Sequence, residues 1–232
     1  TIEMDRAEAV GRFGVIETDA QWRVLGFQEK PLDPKPSAQH PDKVNASMGV
    51  YIFSTQFLIP ILIADAENPQ SSHDFGKDIL PRILAKYRVF AYNFHDENRG
   101  GPQYWRDVGT TDAYYDANMD LVAVTPVFNL YDHSWPLRTR QQQYPPAKSV
   151  FADADRMGQA LDSIVGAGSI LSGGRVNRCV LGYDVRVNSY CEIEDSIIYN
   201  HVNIGRHSRI RNAIVDRHVI LPEHTEIGFD PE

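Results

Sequence analysis

Residues 27–31 place a carboxylate and an ammonium group side by side at the end of an apolar run. Pro31 follows Glu29 and Lys30, and because proline cannot donate to a strand ladder, a strand is expected to end there. Both polar side chains would then lie at the carboxyl end of a strand, where α/β sheets form their ligand clefts. The ammonium of Lys30 suits a phosphate group, although such a pair before a loop is also typical of a solvated surface.

Residues 104–110 place two aromatic residues, a cation and an acid before a glycine and the predicted start of a helix. The acid, Asp107, could ligate a divalent cation that bridges phosphate oxygens. The structural alternative is that Asp107 caps the following helix or pairs with Arg106. The residue types in this string are compatible with both roles.

Residues 71–78 are typical of the start of a helix. Serine and aspartate side chains there can accept the unpaired amide hydrogens, and acidic residues suit the positive end of the helix dipole. We therefore expect a helix cap in this string. His73 could equally contact a substrate hydroxyl.

The elements that must position these strings follow from the spacing of apolar residues. Continuous or alternating apolar residues predict strands, and apolar residues three and four apart predict helices. We expect a hairpin of two strands at 13–17 and 22–27, a proline-rich loop at 31–41 and a buried strand at 46–53. Two helices at 54–64 and 75–87, a strand at 89–94 and a last helix at 111–124 should follow. This order predicts an α/β domain.

Between residues 164 and 228, aliphatic residues recur every six positions, which is neither a helical nor a simple strand period. Such a repeat fits a parallel β-helix, in which each short strand forms one side of a triangular coil with its aliphatic residue inward. The segment would make about three to four coils of roughly 18 residues. The alternative is a small antiparallel β-sandwich with short strands.

Residues 206–218 hold four arginines and two histidines against a single acid, Asp216. This local excess of positive charge could bind a phosphorylated small molecule. Solvated arginines at successive β-helix corners are an equally good interpretation.

The composition excludes several classes of protein. With 42% hydrophobic and 23% charged residues, the 232-residue chain is neither disordered, collagenous nor a coiled coil. A net charge of −8 disfavours a nucleic-acid partner, and the absence of an apolar run of about 20 residues disfavours a membrane partner. Two cysteines, Cys179 and Cys191, are expected to be packing thiols, and we expect a cytoplasmic protein.

Five strings together resemble bacterial ADP-glucose pyrophosphorylases, the glucose-1-phosphate adenylyltransferases, in their order and spacing. They are residues 27–31, 46–51, 71–78, 104–110 and 145–148. The resemblance implies a partial nucleotidyltransferase-like (Rossmann-like) α/β/α domain followed by a left-handed parallel β-helix. The expected organisation is the carboxyl-terminal part of the catalytic domain at residues 1–125 and a linker at 126–155. A β-helix for oligomerisation and allosteric regulation is expected at 156–232.

The resemblance implies that ATP and α-D-glucose 1-phosphate react to give ADP-glucose and pyrophosphate, in glycogen biosynthesis. Mg²⁺ is the implied cofactor and a homotetramer the implied assembly. Lys30 and Asp107 would be the catalytic positions, with Lys30 on the sugar phosphate and Asp107 as one of two aspartates that hold Mg²⁺. The implied substrate-binding residues are Glu29, Lys30, Ser47, Asp74, Phe75 and Trp105.

Regulation by phosphorylated or carboxylate small-molecule effectors is also implied. Arg217 matches an arginine that contacts an activator in some members of the family, and Lys148 belongs to the linker string near the effector region. Where many members have Ser-Gly-Gly, this sequence has Gly166, Ala167 and Gly168. The implied effector site therefore differs in this detail.

The glycine-rich loop of the family, Gly-Gly-x-Gly-Thr-Arg-Leu, does not occur in these 232 residues. The first metal-binding aspartate, which lies near that loop in the family, has no match either. We therefore expect a carboxyl-terminal portion that is inactive by itself.

Two other functions are compatible with the sequence. One is a non-catalytic regulatory or assembly subunit of such an enzyme. The other is a hexapeptide-repeat acyltransferase that uses a histidine as general base. Its candidate residues are His201, His207, His218 and His224.

Overall fold

The computed structural model describes residues 1–96, 100–134, 136–139 and 142–229. The chain forms two compact units, Thr1–Trp105 and Arg106–Glu232. Among the described residues, no helix is both long enough and apolar enough to cross a membrane.

The first unit is built on a four-stranded sheet in the order β1-β4-β2-β3, with antiparallel neighbours. Its strands are β1 (Ile2–Asp5), β2 (Val15–Thr18), β3 (Val24–Gln28) and β4 (Lys43–Ala46). The predicted hairpin is confirmed, because β2 pairs with β3, with one register shift between Glu17 and Thr18. The core of the unit combines Val15, Val44 and Ala46, all fully buried, with the short helix α1 (Arg6–Ala9).

The predicted buried strand at residues 46–53 is wrong, because β4 ends at Ala46. The side chains of the next residues alternate between packed and exposed: Tyr51 and Phe53 pack their rings near Phe75, while Val50 and Ile52 are 71% and 97% exposed. Only alternate side chains of the apolar run therefore pack in the aromatic cluster around Phe75, and the run forms no ladder with a described strand.

The predicted strand at residues 89–94 is also wrong. Its backbone forms hydrogen bonds with two separate segments. The amide of Ala91 donates to the Trp22 carbonyl, and the amide of Phe94 donates to the Thr1 carbonyl. Only one isolated bridge forms, between Arg23 and Phe90, so no regular ladder develops. A short ladder follows between β5 (His95–Asp96) and β6 (Gly101–Pro102).

Both helices predicted in this unit are confirmed with shifted ends. Helix α2 covers Thr55–Ala66, and Ser54 precedes it without a side-chain cap. The second begins as a π-helical turn, Phe75–Ile79, and continues as α3 (Leu80–Leu84). Ile79, Leu80 and Ile83 are buried, as the predicted apolar face requires.

The second unit begins with helix α4 (Thr111–Met119), which ends in a 3₁₀ turn, Asp120–Val122. A parallel β-solenoid of about four turns follows, with its strands in three sheets. The first sheet contains β7 (Lys148–Val150), β10 (Ile170–Ser172), β13 (Arg186–Val187), β16 (Asn203–Ile204) and β19 (Ile220–Leu221). The second contains β8 (Gln159–Leu161), β11 (Arg175–Asn177), β14 (Glu192–Glu194), β17 (Arg209–Arg211) and β20 (Glu226–Ile227). The third contains β9 (Ile164–Val165), β12 (Val180–Leu181), β15 (Ile197–Ile198) and β18 (Ile214–Val215).

The six-residue repeat has the predicted structural basis. Val176, Ile193 and Ile210 are directly in register on neighbouring parallel strands, and each is at most 1% exposed. Stacking equivalent aliphatic residues gives the solenoid a continuous apolar core. The parallel pairing excludes the antiparallel sandwich.

The two cysteines are packing thiols, as predicted. Cys179 and Cys191 are free and buried in the solenoid core. Burial raises the pKa of the Cys179 thiol to about 11 and that of Cys191 in the same direction. Both side chains are therefore neutral near pH 7 and pack as small apolar groups.

Candidate functional site

The Glu29-Lys30 string lies where the sequence predicts it, directly after β3, which ends at Gln28. Both side chains are exposed, and among the described residues neither has an ion-pair partner. Lys30 has a φ of +44°, a left-handed conformation that is costly for a residue with a side chain. Such strain is retained where the surroundings impose it and is concentrated at functional sites.

The carboxylate of Glu29 lies beside two glycines from distant parts of the first unit. A Cβ added at Gly76 would lie 2.9 Å from Glu29 Oε2 and 2.9 Å from Phe27 Cε1. A Cβ added at Gly14 would lie 3.4 Å from Glu29 Oε2 and 2.5 Å from Phe27 Cζ. We call this arrangement the glycine slot, defined by Gly14, Phe27, Glu29 and Gly76. It places the Glu29 carboxylate against two neighbouring segments.

Ser47 lies near the same place through its backbone, because its amide donates to the Gly14 carbonyl at 2.8 Å. Its hydroxyl is 3.2 Å from the hydroxyl of Tyr51. The Tyr51 ring stacks on Phe75, with 5.5 Å between ring centroids. Tyr51 thus joins two expected substrate-binding residues. It is absent from the predicted site, although it ends the 46–51 string.

The predicted helix cap at residues 71–78 is confirmed at Asp74. Its Oδ1 accepts hydrogen bonds from the amides of Gly76 and Lys77, at 2.8 and 2.9 Å. His73, the other candidate in the string, has its Nδ1 2.9 Å from Oδ2 of Asp65. The polar side chains of this loop are therefore held by protein partners.

Asp65 is a buried carboxylate, 2% exposed, that sequence reasoning does not detect. It accepts hydrogen bonds from the Ser71 hydroxyl at 2.8 Å and from Arg82 at 3.0 Å, besides its contact with His73. The hydrogen bond from His73, then that from Ser71, holds the pKa of Asp65 below its ordinary value. No motif marks this residue, because its partners are six, eight and 17 positions away.

Trp105 is half-buried and packs against the sheet core of the first unit. Its ring meets Phe13 edge-on, with 5.7 Å between centroids. This contact gives Trp105 a packing role, in addition to the substrate role that the resemblance implies.

Asp107 belongs to the second unit and is exposed. Neither structural alternative is observed, because Arg106 pairs with Asp120 at 2.7 Å and Thr110 caps α4 through the amide of Ala113. The Asp107 carboxylate accepts a hydrogen bond from the amide of Gly109 at 3.2 Å. It remains a suitable oxygen ligand for Mg²⁺. The described residues form no group of three or more His, Cys, Asp or Glu that could hold a metal ion.

The two expected effector residues lie at opposite ends of the solenoid. Strand β7, which holds Lys148, is four strands from β19, which follows Arg217. At about 4.8 Å per strand, roughly 19 Å separates these two levels of the solenoid. Arg217 pairs with Asp216 at 3.7 Å. Arg209 pairs with two glutamates on neighbouring coils, so part of the basic segment is neutralised locally.

Two family models match the chain. One, described as Nucleotidyl transferase, matches residues 1–123, and one described as GlmU-like, C-terminal hexapeptide, matches residues 145–232. The chain is 58% identical to a glucose-1-phosphate adenylyltransferase of Koribacter versatilis, an alignment that covers 100% of this chain and 56% of that protein. The corresponding proteins of Rhodopirellula baltica and Shewanella putrefaciens are 53% and 52% identical, over 99% of this chain and 52% and 54% of theirs. The chain thus spans about half the length of these relatives, and it belongs to the nucleotidyl transferase family.

Proposed function

We propose that the chain supplies the sugar-phosphate part of a glucose-1-phosphate adenylyltransferase, which forms ADP-glucose and pyrophosphate from ATP and α-D-glucose 1-phosphate. The observation that carries the proposal is the 52–58% identity over nearly the whole chain to proteins of that name. The glycine slot, which holds Glu29 beside the strained Lys30, is consistent with a binding site at this place.

In the proposed complex, Lys30 binds the phosphate of glucose 1-phosphate, because its exposed ammonium has no ion-pair partner among the described residues. Glu29 and Ser47 accept hydrogen bonds from sugar hydroxyls, while Phe75 and Tyr51 form an apolar wall. Asp74 supports this wall by capping the turn that starts at Phe75. A carboxylate and a lysine suit a ligand that carries hydroxyls at one end and a phosphate at the other.

The reaction needs no covalent intermediate on the protein. A phosphate oxygen of glucose 1-phosphate attacks the α-phosphorus of ATP, and the bond from that phosphorus to the bridging β-oxygen breaks. Pyrophosphate leaves with the electron pair of that bond. Catalysis then depends on alignment of the two phosphates and on neutralisation of their charge, and Lys30 contributes to both.

Mg²⁺ is the proposed cofactor, and Asp107 is the proposed ligand from this chain. When bound, the ion would neutralise charge on the nucleotide phosphates. Mg²⁺ sites at phosphates commonly use one or two carboxylates and complete their coordination with water and phosphate oxygens. One exposed carboxylate from this chain is compatible with such a site.

We further propose that the enzyme acts in glycogen biosynthesis as a homotetramer and responds to phosphorylated or carboxylate effectors. Arg217 and Lys148 are the proposed effector contacts. Their strand levels are roughly 19 Å apart along the solenoid.

The proposal is tested by pyrophosphate release from ATP, glucose 1-phosphate and Mg²⁺. The 232-residue chain is assayed alone and after co-expression with a homologous amino-terminal polypeptide that carries the glycine-rich loop. We expect release only in the pair, since that loop does not occur in these residues. A silent pair that forms a folded complex, shown by its mass, would contradict the proposed activity and favour a regulatory subunit. Full activity of the chain alone would contradict the need for the loop.

A further inference from the structure

The loop formed by residues 71–74 is held by two carboxylates that have no role in the proposed chemistry. Side chains at odd positions, Ser71 and His73, bind Asp65 at 2.8 and 2.9 Å. At even positions, the Ser72 hydroxyl and the Asp74 amide donate to Asp78 Oδ2, at 2.5 and 3.1 Å. We call this loop with its two anchors the clamped loop. Its position is set from both sides.

Asp65 is the stronger anchor because it is buried. Taking a carboxylate out of water is costly unless donors replace the water, and here three protein donors do so. One of them, Arg82, comes from α3, so Asp65 ties α2, the loop and α3 together. His73 has a φ of +59°, and a residue in this conformation persists only where its surroundings impose it. The contact with Asp65 supplies that constraint.

The clamped loop leads directly into the glycine slot. Asp74 caps the turn through the amides of Gly76 and Lys77, and Gly76 lies against the Glu29 carboxylate. A displacement of the loop would therefore move Gly76, against which the Glu29 carboxylate lies. The phosphate-binding candidate, Lys30, makes no hydrogen bond or ion pair with the loop among the described residues.

We infer that Asp65 is a positioning residue for the sugar end of the site: it holds the clamped loop so that Gly76 keeps Glu29 in its binding position. This inference rests on the proposed function of Glu29. It assigns Asp65 to recognition of the sugar hydroxyls and not of the phosphate.

The test compares Asp65→Asn with Glu67→Gln in the full chain. Glu67 is an exposed carboxylate two residues further along, and its side chain has no partner among the described residues, so its variant matches the loss of charge. Arg82 and His73 are 48% and 57% exposed in their side chains, so water can solvate them when Asp65 is replaced, and the variant should fold.

Two readouts are measured on each variant. Amide exchange at Gly76 and Lys77 reports the loop, and titration with glucose 1-phosphate and with inorganic phosphate reports the two ends of the ligand. For Asp65→Asn we expect about tenfold faster exchange and about tenfold weaker glucose 1-phosphate binding, since hydrogen bonds to a charged group are lost. Inorganic phosphate binding should be unchanged. Glu67→Gln should match the unmodified chain in every readout.

Unchanged exchange and unchanged glucose 1-phosphate affinity in Asp65→Asn would overturn the inference. Equal weakening of both ligands would overturn it too, because that pattern indicates general destabilisation. If the unmodified chain bound no glucose 1-phosphate, the proposed function would fail, and the exchange rates would still decide whether Asp65 orders the loop. Should Asp65→Asn not fold, Ser71→Ala removes one of the three donors and is expected to give the same pattern with a several-fold effect.

Discussion

Replacement of Gly76 by alanine tests the glycine slot with a single methyl group. The added Cβ would lie 2.9 Å from both Glu29 Oε2 and Phe27 Cε1, which is 0.5 Å short of the 3.4 Å at which ordinary contact begins. The Phe27 ring is confined on its other side by the Gly14 backbone, because Phe27 Cζ lies 2.5 Å from the position that a Cβ at Gly14 would take. The exposed Glu29 carboxylate is therefore the group that must move.

The expected loss follows from that displacement. A misplacement of about 1 Å of a group that positions the substrate can lower the reaction rate about a hundredfold. By the same scale, we expect a shift near 0.5 Å to weaken glucose 1-phosphate binding about tenfold. The free energy of unfolding should fall by at most about 2 kcal/mol, because overpacking costs about 1–3 kcal/mol and alanine recovers about 1 kcal/mol of helix propensity over glycine.

The measurement is calorimetric titration with glucose 1-phosphate, accompanied by urea unfolding. Gly101→Ala is the matched control, because a Cβ at that position meets no atom of the described residues within 4 Å. Its affinity and stability should equal those of the unmodified chain. An unchanged affinity in Gly76→Ala would refute the role of the slot in holding Glu29.

Three further predictions concern the core and the buried titratable groups. Ile193→Ala, at a fully buried position in the middle of the solenoid, should lower the free energy of unfolding by about 2–5 kcal/mol in urea, whereas Ile220→Ala, at a 75% exposed position, should change it little; equal effects would contradict the assigned core. Because the pKa of the Cys179 thiol is raised to about 11, iodoacetamide at pH 8 should label it only after unfolding, as followed by mass spectrometry; rapid labelling of the native chain would contradict its burial. Because the pKa of Asp65 is lowered by its hydrogen bond from His73, its stabilising effect is present above about pH 4 and is lost as the pH falls through the folded-state pKa. The melting temperature of Asp65→Asn should therefore fall less steeply below pH 4 than that of the unmodified chain, and parallel curves would contradict this assignment.

The solenoid could be predicted because its repeat is local. Each six-residue step returns an aliphatic residue to the interior, so Val176, Ile193 and Ile210 are recognisable before any contact is known. In the first unit, the apolar residues of 46–53 could not be assigned in the same way. Whether Ile52 is buried depends on which distant segment lies beside it, and nothing in the local pattern determines that neighbour.

The candidate site shows the same division. The residue types of Glu29 and Lys30 and the strand end before them are local features, so the sequence predicts them. The contact of Glu29 with Gly76 joins residues far apart in the chain, and Asp65 on α2 receives its donors from the clamped loop and from α3. Such tertiary contacts leave no periodic signal. The effector roles of Lys148 and Arg217 are implied by the resemblance alone, and they stay predictions.

The proposed function requires that this chain bind the phosphate of glucose 1-phosphate through Lys30. The most direct measurement is a ³¹P NMR titration of glucose 1-phosphate with the full chain, with Lys30→Gln and Lys86→Gln. Lys86 is exposed and its side chain has no partner among the described residues, so its variant matches the change of charge. We predict that the phosphorus resonance shifts with the unmodified chain and with Lys86→Gln, and that the shift is lost with Lys30→Gln. A shift of equal size in all three proteins, or in none, would contradict phosphate binding by Lys30.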